Sequence, residues 1–374
     1  MHSSTLAELK RLGQSVWIDY LSRETLDTGE LARMIRDDGV SGVTDNPAIF
    51  QKAISSSRRY DSAINTLAKA HADEQEIYTS LIIEDVAAAA DLLTPVYDDS
   101  EGDDGYVSLE VSPRLARDAH GTILEARSLW ERVSRPNLLI KVPGTEEGLV
   151  AVRQLISDGI NVNITLLFGI PRYRKTAQAF IAGLEDRVKD GLPIDNVASV
   201  ASFFLSRIDA LLDPILESIA KAGGAGAEIA RPLLGQIAIA SAMEAYRSFK
   251  EIFYDARFRA LAAKGGRMQK VLWASTGTKN PAYSDVKYVE SLIGPYSINT
   301  MPVETLSAFR DHGHPAPRLE QGLENARKAL NSLADIGIDL DRQTRLLEDE
   351  GIVKFNEAHN AVMAMIERHR VPVY

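Results

Sequence analysis

Eight short apolar runs recur along this chain, at 16–21, 39–47, 106–111, 138–142, 161–168, 197–205, 271–275 and 296–301. Most intervals between them carry apolar residues at helical spacing, as at 112–132, 146–157 and 173–188. Between the first two runs, Leu31, Met34 and Ile35 predict a helix with Thr28 as its N-cap and Gly39 as its stop. Strand–helix alternation of this kind is the pattern of parallel βα units. Eight units favour a closed (β/α)8 TIM barrel of the α/β class over an open sheet. The interval 48–95, with Ile77, Leu81, Ile82 and four consecutive alanines from Ala87, is too long for one crossover helix and reads as a helical insertion after the second strand. The acidic stretch 98–104 reads as a solvated loop, and 223–226 as a flexible loop inside the helical interval 207–267. Leu319, Leu323, Ala326 and Leu330 share a helix face, as do Phe355, Val362 and Met365, so 303–374 is expected to be a C-terminal helical extension. No stretch rich in Pro, Gly or Ser marks a boundary, and the expectation is one barrel domain over 1–374.

Charge and composition narrow the function classes. Lys and Arg number 42 against 52 Asp and Glu, a net charge of -10, which excludes broad attraction to nucleic acid or an anionic membrane. An anionic ligand must therefore be held by cations gathered locally. The chain has no cysteine, so disulfides, thiolate zinc sites and cysteine nucleophiles are ruled out. The first fourteen residues are polar and lack a signal-peptide h-region. No apolar run approaches the roughly 20 residues of a membrane helix, so a soluble, cytoplasmic protein is expected. His312 and His314 lie close together but without a recognisable third ligand, which favours a loop pair over a metal site. Neither a P-loop nor a dinucleotide glycine fingerprint is present.

The run 137–145 ends in Lys141-Val142-Pro143-Gly144-Thr145, which sets one lysine at the C-terminal end of a strand buried on both faces. An ammonium is costly there, so this lysine is neutral, paired, or pointing out of the end of the sheet. A lysine that snorkels to solvent is the plainer alternative. Side chains alternate along a strand, so parity sorts the other polar residues. Thr44 goes with Asn46, Ser108 with Glu110, Asn163 with Thr165, and Ser202 with Phe204. Each strand has an apolar face for the covering helices and a second face that turns polar toward its C-terminal end, where barrel enzymes hold their chemistry. Taken singly, such residues also serve as strand-end partners and helix caps. Asp19, Asn46, Glu110, Lys141, Asn163, Thr165 and Ser202 on one rim together point to a site. A lysine condenses with a ketone or aldehyde to a Schiff base that withdraws electrons from the neighbouring carbon–carbon bond. The attacking amine must be neutral, and a carboxylate touching it would favour the ammonium. The acids are accordingly expected to act on substrate oxygens or through water.

These stretches resemble the transaldolases, Schiff-base enzymes of the pentose phosphate pathway, in their larger bacterial form. The likeness runs from about residue 13 to 310 and rests on seven motifs in the family's order. They are Val16-Trp17-Ile18-Asp19, Val43-Thr44-Asp45-Asn46-Pro47-Ala48-Ile49-Phe50, Val107-Ser108-Leu109-Glu110-Val111 and Leu139-Ile140-Lys141-Val142-Pro143-Gly144-Thr145. The set continues with Asn161-Val162-Asn163-Ile164-Thr165-Leu166-Leu167-Phe168 and Ala201-Ser202-Phe203-Phe204-Leu205-Ser206-Arg207-Ile208-Asp209. Trp273-Ala274-Ser275-Thr276-Gly277-Thr278-Lys279-Asn280-Pro281 closes it.

The resemblance implies that Lys141 forms the Schiff base with a ketose donor. It implies that Asp19 takes and returns the proton of the hydroxyl beside the breaking bond. Glu110 would shuttle protons through a water held by Thr165. Thr44, Asn46 and Asn163 would bind hydroxyls of the retained dihydroxyacetone unit. Ser202, Arg207 and Lys279 would hold the phosphate, with Phe204 and Ser275 beside them. Lys279 stands where the family commonly has a second arginine. Asp45 replaces the usual Ser or Thr; parity points it away from the pocket, although its charge would oppose phosphate binding. The implied reaction carries a three-carbon ketol unit from sedoheptulose 7-phosphate to glyceraldehyde 3-phosphate, giving erythrose 4-phosphate and fructose 6-phosphate. Sugar phosphates are the implied partners, and no metal or organic cofactor is implied. Monomer and homodimer both stay open. So do three other activities: a fructose 6-phosphate aldolase-type lyase on the same scaffold, a hydrolase using Asp19 and Glu110 as paired carboxylates, and a non-catalytic sugar-phosphate-binding barrel.

Overall fold

In the computed structural model, which describes residues 5–370, eight parallel strands close into a barrel in chain order. They are β1 (Gln14–Asp19), β2 (Gly42–Thr44), β3 (Tyr106–Glu110), β4 (Leu138–Pro143), β5 (Val162–Leu167), β6 (Ser199–Phe204), β7 (Lys270–Ala274) and β8 (Ser297–Met301). Closure is made by β8 pairing back onto β1, with Trp17 opposite Thr300 and Ile18 opposite Met301. Each expected run contains a strand, and only the second is much shorter than its run. Its end is cut because Asn46 leaves the ladder to cap the helix Pro47–Ser56, accepting from the amides of Ala48 (3.0 Å) and Ile49 (3.1 Å). Pro47 then has no N–H with which to continue a strand.

The segment after β1 differs from expectation. Ser22, not Thr28, is the N-cap, and it opens a short helix Arg23–Asp27 that Thr28 ends. Gly29, at φ 70°, breaks the run, so a second helix Glu30–Arg33 starts afresh and passes into a π-turn Met34–Asp38 that Gly39 terminates. The interval 48–95 also divides. The helix Glu74–Asp99 packs on β3 and on the helix Ala119–Val133, so it is the barrel's own crossover helix. Only the part containing Pro47–Ser56 and Asp61–Lys69 is additional. The expected loop at 223–226 is confined to Gly223 and Gly224, both at positive φ, and the second of these already opens the helix Gly224–Ala230.

The barrel interior is layered. At its N-terminal end Trp17, Tyr106, Leu139, Val200 and Ile298 line a small cavity. Asp104 lies beneath them as a buried acceptor for the Trp17 indole N–H (2.8 Å) and the Ser15 hydroxyl (2.5 Å), so the 98–104 stretch is not wholly solvated. Trp17 and Gly42 are register partners, and a Cβ at Gly42 would stand 2.3 Å from the indole ring. Gly42→Ala is therefore expected to cost about 1–3 kcal/mol by overpacking. Urea unfolding measures this, and an unchanged midpoint would refute it.

The C-terminal segment runs through the helices Val303–His312, Leu323–Asp335 and Leu340–Arg370. Leu340–Arg370 buries Phe355, Val362 and Ile366 and packs across the helices Pro47–Ser56, Asp61–Lys69 and Glu74–Asp99. Among the described residues, no helix is long and apolar enough to cross a membrane.

Candidate active site

A cavity of about 190 Å3 opens at the C-terminal mouth of the barrel. Of the residues expected at a site, Asp19, Thr44, Asn46, Lys141, Thr165, Ser202, Phe204, Arg207, Ser275 and Lys279 line it. Glu110 and Asn163 lie behind this lining. Asn163 is buried one layer down, where its amide donates to Ser108 Oγ (2.9 Å) and its carbonyl accepts from Ser202 Oγ (2.6 Å). Both ends of that amide are thus committed to tying β3, β5 and β6 together. The Asn46 carbonyl is likewise committed to its helix cap, so of this cavity-lining side chain the NH2 is the group left to donate to a ligand.

Lys141 is buried at the end of β4, and its Nζ donates to the backbone carbonyl of Asp45 at 2.6 Å. Glu110 Oε2 stands 3.3 Å from the same nitrogen. A carboxylate does therefore touch the amine, the contact that by itself favours the ammonium. Glu110 and Lys141 are register partners on adjacent strands, so their side chains emerge side by side on the inner face. The contact does not impose a bare carboxylate, because burial pushes the Glu110 carboxyl up to about 7 against the opposing pull of Lys141. Near neutrality, Glu110 can therefore both give and take a proton. The Thr165 hydroxyl is buried nearby on β5 without a hydrogen-bond partner among the described residues.

Asp19, at the end of β1, accepts from Thr44 Oγ1 at 2.8 Å, and that hydroxyl also lies 2.7 Å from Thr300 Oγ1. Burial raises the Asp19 carboxyl, while Lys141, the Thr44 hydrogen bond, Arg207 and Lys279 draw it down. Asp45 is absent from the lining, as parity implies, but it is not remote. Its side chain is buried, and among the described residues neither carboxyl oxygen has a hydrogen-bond partner. Burial raises its carboxyl well above the usual range, with Glu110 and Asp19 pushing the same way and Lys141 opposing. A neutral acid, rather than the feared negative charge, is the form this environment favours.

The far wall is cationic. Arg207, in the first turn of the helix Ser206–Ala222, places its guanidinium carbon over the Phe204 ring, 5.4 Å from the centroid, and over that of Phe355 at 6.0 Å. Lys279 is exposed in the loop after β7. Among the described residues neither cation has a hydrogen bond or an ion pair, an unusual freedom in an acidic chain rich in paired arginines. Ser275, at φ 54°, shares a 2.9 Å hydrogen bond with Ser206 and so fixes the β7 end against this helix. Sequence reasoning missed Thr300 and Phe355. Thr300 shares its face of β8 with Ile298, so strand parity was a usable signal. Phe355 carried none, being one of several apolar residues on a distant helix.

His312 is not a free loop histidine. It ends the helix Val303–His312, with Asp285 at 2.9 Å and Asp311 at 3.1 Å. Among the described residues, no group of three or more acidic or histidine side chains is placed to hold a metal.

A closed (β/α)8 barrel that buries a lysine among carboxyls at its C-terminal mouth belongs to the barrel enzymes equipped for amine chemistry. The chain is a member of the transaldolase/fructose-6-phosphate aldolase family, whose sequence model matches residues 16–366. It is 48% identical to the transaldolase of Thiobacillus denitrificans over 359 residues, covering 96% of this chain and 98% of that protein. It is also 45% identical to the transaldolase of Trichodesmium erythraeum over 371 residues, 98% of both chains. Identity to transaldolase 2 of a Nostoc species is 45% over 367 residues, 97% of this chain and 96% of that one. The resemblance read from the seven motifs thus extends into the C-terminal segment.

Proposed function

We propose that this protein is a transaldolase, moving a dihydroxyacetone unit between sugar phosphates through a Schiff base on Lys141. The observation that carries the residue assignment is the Lys141 amine, buried against Glu110 and the Asp45 carbonyl in a cavity whose far wall holds two unpaired cations. The neutral amine adds to the ketose carbonyl, and the carbinolamine loses water as Glu110 supplies a proton through a water held by Thr165. Asp19 then takes the proton of the hydroxyl on the far carbon of the scissile bond. That bond breaks, the aldose phosphate leaves, and the electron pair moves into the nitrogen-conjugated enamine. Addition of the enamine to an acceptor aldehyde reverses these steps, with Asp19 returning the proton and water releasing Lys141. Thr44 and Asn46 bind substrate hydroxyls, Asn163 aligns Ser202, and Ser202, Arg207 and Lys279 take the phosphate. The cytoplasm, where sugar phosphates are interconverted, is the working compartment.

Borohydride reduction in the presence of fructose 6-phosphate, followed by peptide mass spectrometry, should place the adduct on Lys141. An adduct elsewhere, or none, would rule out the assignment. Fructose 6-phosphate alone should release little free dihydroxyacetone, whereas adding an aldose phosphate acceptor should produce turnover. Rapid release without acceptor would identify an aldolase-type lyase.

The Glu110 carboxyl also sets a pH dependence. Below about 7 it holds its proton and can serve water loss; above about 7 it has released it and can serve addition. Adduct formation is expected to peak near pH 7. Glu110→Gln should remove the peak and slow adduct formation by about 10²-fold. A variant that retained the bell-shaped profile would show that another group titrates.

A further inference from the structure

Phe355 comes from the C-terminal helix, far in sequence from every other residue of the cavity wall. Its ring is buried at the mouth, 6.0 Å from the Arg207 guanidinium, and the Phe204 ring at the end of β6 stands 5.4 Å from the same group. The helix comes this close because residue 351 is glycine. A Cβ there would stand 2.9 Å from Leu166 Cδ2 and 3.8 Å from Arg207 Nη1. Leu166 itself takes φ 59°, where the β5–β6 register shifts directly after Thr165. The helix is therefore seated on the barrel rim rather than suspended over it.

An aromatic ring engages the face of a guanidinium and leaves the N–H groups along its edge available. Two rings near one arginine restrict its rotamers before a ligand arrives and consume none of its hydrogen-bond donors. The ordering that a phosphate would otherwise impose on a long free side chain is then already in place. Because Arg207 has no hydrogen bond or ion pair among the described residues, these rings are the groups that hold it.

We propose that Phe355 is a specificity-determining residue, which preorganises Arg207 for a phosphate monoester and so makes the C-terminal helix part of the substrate site. The inference rests on the phosphate role given to Arg207 above, and it assigns Phe355 no contact with the reacting carbons. The test uses the full chain and Phe355→Leu, which keeps most of the apolar volume and removes the ring face, with Phe355→Tyr as the conservative rescue. The first readout is the ratio of kcat/KM for glyceraldehyde 3-phosphate to that for unphosphorylated glyceraldehyde. Phe355→Leu should lower this ratio about 3- to 30-fold, the effect of losing one partly desolvated cation–π contact. Phe355→Tyr should restore it. The second readout, independent of turnover, is the Kd for inorganic phosphate by calorimetry, which should weaken by a similar factor in Phe355→Leu and not in Phe355→Tyr.

An unchanged ratio and unchanged Kd in Phe355→Leu would overturn the inference while leaving the transaldolase assignment standing. Equal losses in the Leu and Tyr variants would also overturn it, since they would mean that packing rather than the ring face is needed. Should the wild-type chain lack transferase activity, the assignment would fail, and the phosphate Kd would still decide the role of Phe355.

Discussion

Lys141→Ala is expected to yield a folded barrel that forms no borohydride-stable adduct and shows no turnover above the uncatalysed background. Among the described residues Lys141 is the one buried lysine of the cavity wall; Lys279, which also lines it, is exposed beside the phosphate-binding end, where a solvated amine is protonated by default. Truncation of Lys141 does strand its neighbours, which ordinarily makes removal of one member of a buried pair expensive. Here the cost is limited by Glu110. Its carboxyl is already raised to about 7 with the amine present, and Lys141 is the strongest influence drawing it down. Without the amine, Glu110 keeps its proton to higher pH, and no bare carboxylate is left inside the barrel. The Asp45 carbonyl loses a donor, a moderate cost of about 1–3 kcal/mol. Thermal unfolding followed by circular dichroism should therefore show a cooperative transition with a lowered midpoint. Adduct-dependent turnover in this variant would mean that the Schiff base forms elsewhere.

The strands could be read from the sequence because a buried parallel strand needs a short apolar run, and such runs are conspicuous between helix-period segments. β2 was overestimated because one side chain, that of Asn46, ends the strand by turning to cap the next helix. Depth within the barrel was less legible than facing. Asn163 and Thr165 share a face, yet Asn163 is sealed between Ser108 and Ser202 while Thr165 reaches the cavity. Parity reports which way a side chain points and not which layer it occupies. The Glu110–Lys141 contact depends on the register between two strands, which barrel closure sets and neither strand encodes alone. Asp104 was read as solvated because acidic loops usually are, and only its position beneath Trp17 makes it a core acceptor. The place of Phe355 depends on how the last helix crosses the rim, beyond the reach of any local pattern.

Asp19→Asn should separate the two halves of the reaction. Asparagine matches aspartate in shape, and its carbonyl can still accept the Thr44 hydroxyl that lies 2.8 Å from Asp19 Oδ1, so the mouth should keep its geometry. What it loses is a group able to take a proton from the substrate hydroxyl as the carbon–carbon bond breaks. Turnover should fall about 10³- to 10⁴-fold, the upper range for a positioned general base. Adduct formation, which the proposed mechanism gives to Lys141 and Glu110, should continue at close to the wild-type rate, so borohydride should trap the enzyme fully although little product forms. The electrostatics favour this division. In the free protein Arg207 and Lys279 help to draw the Asp19 carboxyl down toward its ionised form. A phosphate seated on those two cations would cancel their pull, raising the affinity of Asp19 for the proton it must accept. Substrate binding would thereby strengthen the base at the step that needs it, coupling the phosphate wall to bond cleavage across the cavity. If adduct formation in Asp19→Asn instead fell in step with turnover, Asp19 would belong to Schiff-base formation, and the assignment of cleavage to it would be wrong.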